Sequence, residues 1–208
     1  MSIPGKKPAR IIGITGGSGS GKTRLANYLF RALRGRAALI SHDWYYRDRA
    51  GMPEEERQKV NFDHPNALET SVLVKHLQAL SAGREVPTPR YDYATSSRLK
   101  ETVPMGGAAI ILIEGLFILH EERLRRLLEL SVFVDVPADI RLVRRIRRDV
   151  IDRGIPVGET LRLYERFVRP MHERYIEPSA RYATHVWKPL SDRTFPARFK
   201  NELKGMLS

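Results

Sequence analysis

Cysteine is absent from all 208 residues. Disulfides, thiolate metal ligands and cysteine nucleophiles are therefore excluded. Long apolar runs are also missing. None reaches the roughly 18 residues that a membrane-spanning helix needs. The opening stretch MSIPGKKPAR has basic residues but no apolar run behind them, so no secretory signal is read and a cytoplasmic location is expected. Internal repeats and low-complexity tracts are lacking, and the length suits one domain with a small insertion. Acidic residues are in short supply: 24 Asp and Glu stand against 36 Lys and Arg, a formal charge of +12. Such an excess suits nucleic acid, an anionic membrane surface or phosphorylated ligands. Part of it is concentrated at 141–153, RLVRRIRRDVIDR, within a helical pattern rather than a tail. That placement favours phosphate handling at a site.

The densest signal is Gly16-Gly17-Ser18-Gly19-Ser20-Gly21-Lys22-Thr23. It fits the G-x-x-x-x-G-K-[ST] phosphate-binding loop without mismatch. Before it, RIIGIT at 10–15 reads as a buried strand. After it, KTRLANYLFRAL at 22–33 places Leu25, Leu29, Phe30 and Leu33 at helical spacing. Strand, glycine loop and helix start together make an anion site, because backbone N–H groups and the helix N-terminus both point at the phosphates. Lys22 would reach the β- and γ-phosphates, and the Thr23 hydroxyl would ligate Mg²⁺.

The rest of the chain alternates strands and helices. Strands are expected at 37–41, 108–113, 131–136 and 184–187. Helices are expected near 121–129, from Ala138 to about Arg153, from Gly158 to Tyr175 with an interruption at Pro170, and over Phe195–Met206. Asn66-Ala67-Leu68-Glu69 resembles a capping box opening a helix to about Leu80. The proline-rich stretch 84–104 reads as a small β-hairpin insertion. The fold class is α/β: a central parallel sheet with helices on both faces, whose ligands bind at the C-terminal ends of the strands.

Two carboxylates fall at those ends. Glu114 closes an apolar strand, where a lone carboxylate is costly without a partner, so it is read as a Mg²⁺ ligand, directly or through water. Asp43 follows the 37–41 strand and could orient or deprotonate an attacking hydroxyl, or hold Mg²⁺ through water; the plain alternative is an Asp opening a turn. In the arginine-rich helix, Leu142, Val143, Ile146 and Val150 mark an apolar side, and Arg141, Arg145 and Arg148 share another. Arginines there could close over the charge that develops in phosphoryl transfer, or simply face solvent. The six histidines show no metal-ligand spacing and mostly read as surface or turn residues. Tyr45, Phe62, Tyr91 and Tyr93 could stack on a base or serve as core and strand surface.

Taken together, GGSGSGKT at 16–23, HDWYY at 42–46, NFDHP at 61–65, PRYDY at 89–93, IEG at 113–115, RRIRRDVIDRG at 144–154 and ERFVRPMHERYIEPSARYA at 165–183 resemble the uridine kinase family within the phosphoribulokinase/uridine kinase group. The match runs in order along nearly the whole chain. It implies a P-loop kinase with an arginine-rich helical lid at about 138–160 that phosphorylates the 5′-hydroxyl of uridine or cytidine, using ATP and Mg²⁺. Residue by residue it implies Asp43 as base; Thr23 and Glu114 on Mg²⁺ with Asp43 close by; and Asp63 and Arg145 on the ribose hydroxyls. It further implies Tyr46, Tyr91 and Tyr93 around the nucleoside, and Arg148 and Arg153 on the phosphates beside Lys22. A homo-oligomer, tetramer or dimer, is implied as well. The nucleoside side departs from the family pattern. Ser96 stands where animal members carry a His, Ile155 replaces the second Arg of Arg-Gly-Arg, and Leu163 replaces a Gln before Tyr164. Lost hydrogen bonds mean lost discrimination. A kinase of the same group acting on another small alcohol is therefore the alternative, and a nucleic-acid-binding NTPase the more distant one, since no basic tail or nucleic-acid motif is present.

Overall fold

The computed structural model describes residues 8–57, 59–92, 95 and 97–207. Tyr93 and Ser96 lie outside the described residues. In chain order the elements are β1 (Arg10–Thr15), α1 (Lys22–Ala32), β2 (Ala37–Ser41), α2 (Glu54–Arg57), α3 (Thr70–Ser81), β3 (Val86–Thr88), β4 (Tyr91–Asp92), β5 (Ser97–Arg98), β6 (Val103–Met105), β7 (Ile110–Gly115), α4 (Glu122–Arg125), β8 (Leu130–Val134), α5 (Ala138–Ile151), α6 (Val157–Leu163), α7 (Arg169–Met171), β9 (His185–Trp187) and α8 (Phe195–Gly205).

Five strands form a parallel sheet in the order β2-β7-β1-β8-β9. Every residue of β7 is buried, as a central strand covered on both faces requires. Alternation along β1 serves two cores. Ile12 and Ile14 pack with Leu25 and Leu29 of α1 and with Phe199 and Leu203 of α8. Ile11 packs on the other face with Leu73 and Leu77 of α3. Each such fully buried side chain contributes about 1.5–3 kcal/mol. The register sets Thr15 beside Gly115 and Ser41 beside Glu114, so the ends of β1, β2 and β7 are level. The 84–104 insertion is two short antiparallel ladders, β3 with β6 and β4 with β5.

Four sequence expectations change. The Asn66 motif does not open a helix: Pro65–Ala67 is a 3₁₀ turn and α3 starts at Thr70. Tertiary pairing takes that segment, with Leu68 bridging Tyr46 and the Glu69 amide donating to the Tyr45 carbonyl at 2.7 Å. The expected 121–129 helix shortens to α4. The break at Pro170 is instead a pair of π-helical segments, Tyr164–Val168 and His172–Ile176, on either side of α7. These absorb the missing proline N–H without ending the helical run. On α5 the apolar side is misassigned: Val143 and Val150 are 48% and 39% exposed, while Arg141 and Asp149 are buried. This helix lies over the phosphate loop, whose polar atoms draw charged residues inward.

Candidate active site

The loop between β1 and α1 turns on glycine. Gly19 has φ +80°, and a Cβ there would sit 2.4 Å from the Arg141 carbonyl oxygen, so both conformation and space demand glycine. Gly16 is nearly as confined, a Cβ meeting the Val134 oxygen at 2.6 Å. Gly21 precedes α1 in a left-handed conformation and no side chain caps the helix. Its first N–H groups, with Lys22 and Thr23 at the same end, are left for an anion. Ser20 Oγ is buried without a partner among the described residues, as a phosphate-binding hydroxyl would be before its ligand arrives.

Glu114 is 5% exposed and held from two sides. Thr23 donates to its Oε2 at 3.0 Å and Ser41 to its Oε1 at 2.7 Å. Hydroxyl and carboxylate oxygens are hard ligands that suit Mg²⁺. Among the described residues no cluster of three or more Asp, Glu or His could hold a metal. The adjoining Gly115 is required because a Cβ would meet His42 Cβ at 2.5 Å.

Asp43 lies in the 3₁₀ turn His42–Tyr45 that follows β2. Burial, then the charge of Glu114, raises its pKa to about 6; Asp63 adds to the rise, while Lys22 and Arg148 oppose it. Its neighbour His42 is fully buried, contrary to the surface reading, and its Nε2 meets Thr70 Oγ1 at 3.0 Å. Burial depresses this imidazole to about 3.

Asp63 is placed by a turn in which its amide donates to Asn61 Oδ1 at 3.0 Å. Burial raises its pKa, against Arg145 and Arg148. Arg145 spans the cleft, with Nη1 donating to Ser18 Oγ at 3.1 Å and lying 4.0 Å from Asp63 Oδ1. Beyond it, Tyr46 packs on Tyr91 and Phe62, with ring centroids 5.1 and 5.8 Å apart.

Above these groups, α5 and the turn after it bring three arginines to one carboxylate. Asp149, 2% exposed, receives Arg145 Nε at 3.1 Å, Arg148 Nη2 at 2.9 Å and Arg153 Nη1 at 3.5 Å. Arg144 Nη1 donates to the Gly19 carbonyl at 3.3 Å. The fold thus gathers the 16–23 loop, Asp43, Asp63, Glu114, Arg145 and Arg148 at one end of the sheet, with Tyr46 and Tyr91 adjoining. Ser41 and Asp149 are missed by motif reading. Ser41 carries no local signal, whereas Asp149 stands four residues from both Arg145 and Arg153, a spacing that could have revealed it.

A phosphate loop on a parallel sheet, a carboxylate at an adjacent strand end and an arginine-rich lid define a P-loop phosphotransferase with a hydroxyl acceptor. The chain belongs to the phosphoribulokinase / uridine kinase family, whose model matches residues 11–195. It is 48% identical over 178 residues to the uridine kinase of Chloroflexus aurantiacus, covering 85% of each chain. It is 43% identical over 202 residues to the uridine kinase of Chloroflexus aggregans, covering 94% of this chain and 97% of that one. Phosphoribulokinase from Rhodobacter spheroides shares the fold at TM-score 0.62 and 20% identity, covering 86% of this chain and 69% of that one.

Proposed function

We propose that this protein transfers the γ-phosphate of ATP, with Mg²⁺, to the 5′-hydroxyl of uridine or cytidine, giving UMP or CMP. The observation that carries the reading is the convergence of Asp43 with Lys22, Glu114 and Asp63 at the phosphate-loop end of the sheet, where burial and then the Glu114 charge raise the Asp43 pKa to about 6. The uridine kinase names of relatives at 43–48% identity supply the acceptor class.

The donor supplies the phosphoryl group, and Mg²⁺, when bound, would supply neutralisation of the developing charge. The chain's own residues do the rest. Asp43 orients the 5′-hydroxyl and accepts its proton. Lys22 and the loop amides hold the transferring oxygens. Thr23 and Glu114, with Asp43 nearby, present oxygens to the metal. Asp63 and Arg145 take the ribose diol, and Tyr46 and Tyr91 line the nucleoside end. Arg148 and Arg153 leave Asp149 for the phosphates as the lid closes, which also excludes water. The chain works as one kinase domain, with the 84–104 hairpin as its insertion and residues 138–160 as its lid, and it assembles as a dimer or tetramer.

The test is ATP consumption with Mg²⁺ against uridine, cytidine, adenosine, nicotinamide riboside, ribulose 5-phosphate and pantothenate. Turnover of uridine or cytidine, with kcat lowered by about 10²–10⁴-fold in Asp43→Asn, is expected. Turnover of another acceptor alone would replace the nucleoside assignment, with Ile155 and Leu163 the residues to examine first.

A further inference from the structure

Arg141 is the arginine of α5 that is buried without an ion-paired carboxylate among the described residues. It is 5% exposed, whereas Arg145, Arg148 and Arg153 pair with Asp149. Its Nε donates to the Val136 carbonyl at 2.9 Å. Its guanidinium presses on the back of the phosphate loop. A Cβ on Gly17 would lie 2.6 Å from Nη1 and 2.9 Å from Cζ. The Arg141 backbone closes on Gly19 from the same helical turn, and His172 flanks Gly17 from the π-helical run, its Cε1 3.0 Å from the same Cβ position.

These groups border a cavity of about 460 Å³ behind the loop. The charged and titratable groups facing it are Asp135 beyond β8, Asp139 on α5, Tyr164, Arg169 and Glu173 from the helical run, and Glu177. Tyr164, Glu177 and Asp135 act on Arg141 only at a distance, and burial remains the larger influence on it. A cation taken out of water without a paired anion is costly. It becomes favourable when an anion arrives across the loop, in an interior where fields are weakly screened.

We propose that Arg141 is a positioning residue for the phosphate donor: it fixes Gly17 and Gly19 and sets a buried positive charge behind the loop, whose counter-charge is the triphosphate. This inference rests on the donor half of the reading above and is independent of the acceptor's identity.

The decisive comparison is wild type, Arg141→Met and Arg141→Lys. For each, binding of a non-hydrolysable ATP analogue with Mg²⁺ is titrated directly, and the ligand-free melting temperature is recorded. KM for ATP and for the nucleoside are measured as well. The expected result for Arg141→Met is a ligand-free melting temperature equal to or above wild type. Analogue affinity falls at least tenfold, with KM for the nucleoside within about twofold. Arg141→Lys, which keeps the charge but not the fork, recovers most of the affinity. A methionine variant that melts lower or fails to fold would make Arg141 an ordinary structural residue and overturn the proposal. So would unchanged analogue affinity, or parallel loss for both substrates. If wild type binds the analogue but phosphorylates no nucleoside, the acceptor assignment fails while the Arg141 comparison still stands.

Discussion

Thr23 donates its hydroxyl to Glu114 over 3.0 Å, joining residues 91 positions apart. The bond links the start of α1 to the end of β7 and sets both oxygens where a donor-bound metal would sit. Thr23→Val removes one oxygen and retains the shape. We expect kcat to fall by at least about 10²-fold, in the range seen when a charge-stabilising group is lost. The Mg²⁺ concentration for half-maximal rate should rise, and the melting temperature should stay close to wild type. An unchanged Mg²⁺ dependence would remove Thr23 from the metal site.

Asp63 and Arg145 make a matched acceptor and donor, 4.0 Å apart across the cleft. A ribose diol bound between them would distinguish uridine from 2′-deoxyuridine. Asp63→Asn should raise KM for uridine about tenfold or more and narrow that preference, since a site that loses a charged hydrogen bond loses discrimination with it. Equal losses for the two nucleosides would place Asp63 away from the diol.

Gly19→Ala should abolish nucleotide binding. Its φ of +80° is unfavourable to alanine, and the new methyl group would overlap the Arg141 carbonyl at 2.4 Å. The strain, about 1–3 kcal/mol from the backbone alone, must be relieved by moving the loop or α5. Calorimetric titration with ATP and a urea midpoint read the two consequences separately. Normal ATP affinity would show that the loop is not held in this conformation.

His172 gives a pH signature. Burial, and then the Arg141 charge, lowers its pKa to about 4 despite Glu173. The folded imidazole is thus neutral where the unfolded one, near 6.5, takes a proton. Its contribution is intact above that unfolded value and drains away as pH falls from about 6.5 toward 4. Allowing for partial exposure, the loss between pH 7 and pH 5 is about 1 kcal/mol. Urea midpoints of His172→Asn across that interval should decline less than those of wild type. Superimposable curves would remove the residue from the pH dependence.

The phosphate loop was legible because its glycines answer to local backbone geometry, and β7 because an unbroken apolar run of that length has few other homes. That Glu114 closes a buried strand was legible from the same run, since it is the first charge after it. The face of α5 was not legible by the same rule. Periodicity assumes that apolar residues turn inward, but this helix covers a polar loop, so Arg141 and Asp149 go inside and Val143 goes out. Asn66 misled for a related reason. Its local pattern satisfies a helix cap, while the Leu68–Tyr46 bridge, set by distant sequence, claims the same residues. Ser41 was invisible because only the β2–β7 register brings it to Glu114.

Asp149 holds three guanidinium groups, and one carboxylate cannot neutralise three cations. Asp63 adds a second carboxylate at Arg145, and a positive surplus still remains, so the segment proposed as the lid is already ordered and still attractive to anions, with Arg148 and Arg153 more than a third exposed. A phosphate reaching Arg148 or Arg153 exchanges one negative partner for another instead of recruiting loose side chains from solvent. Less rotamer freedom is lost at the moment of closure. In the proposed reaction this arrangement would favour reversible swapping of counter-ions, with Asp149 reclaiming its arginines when product departs.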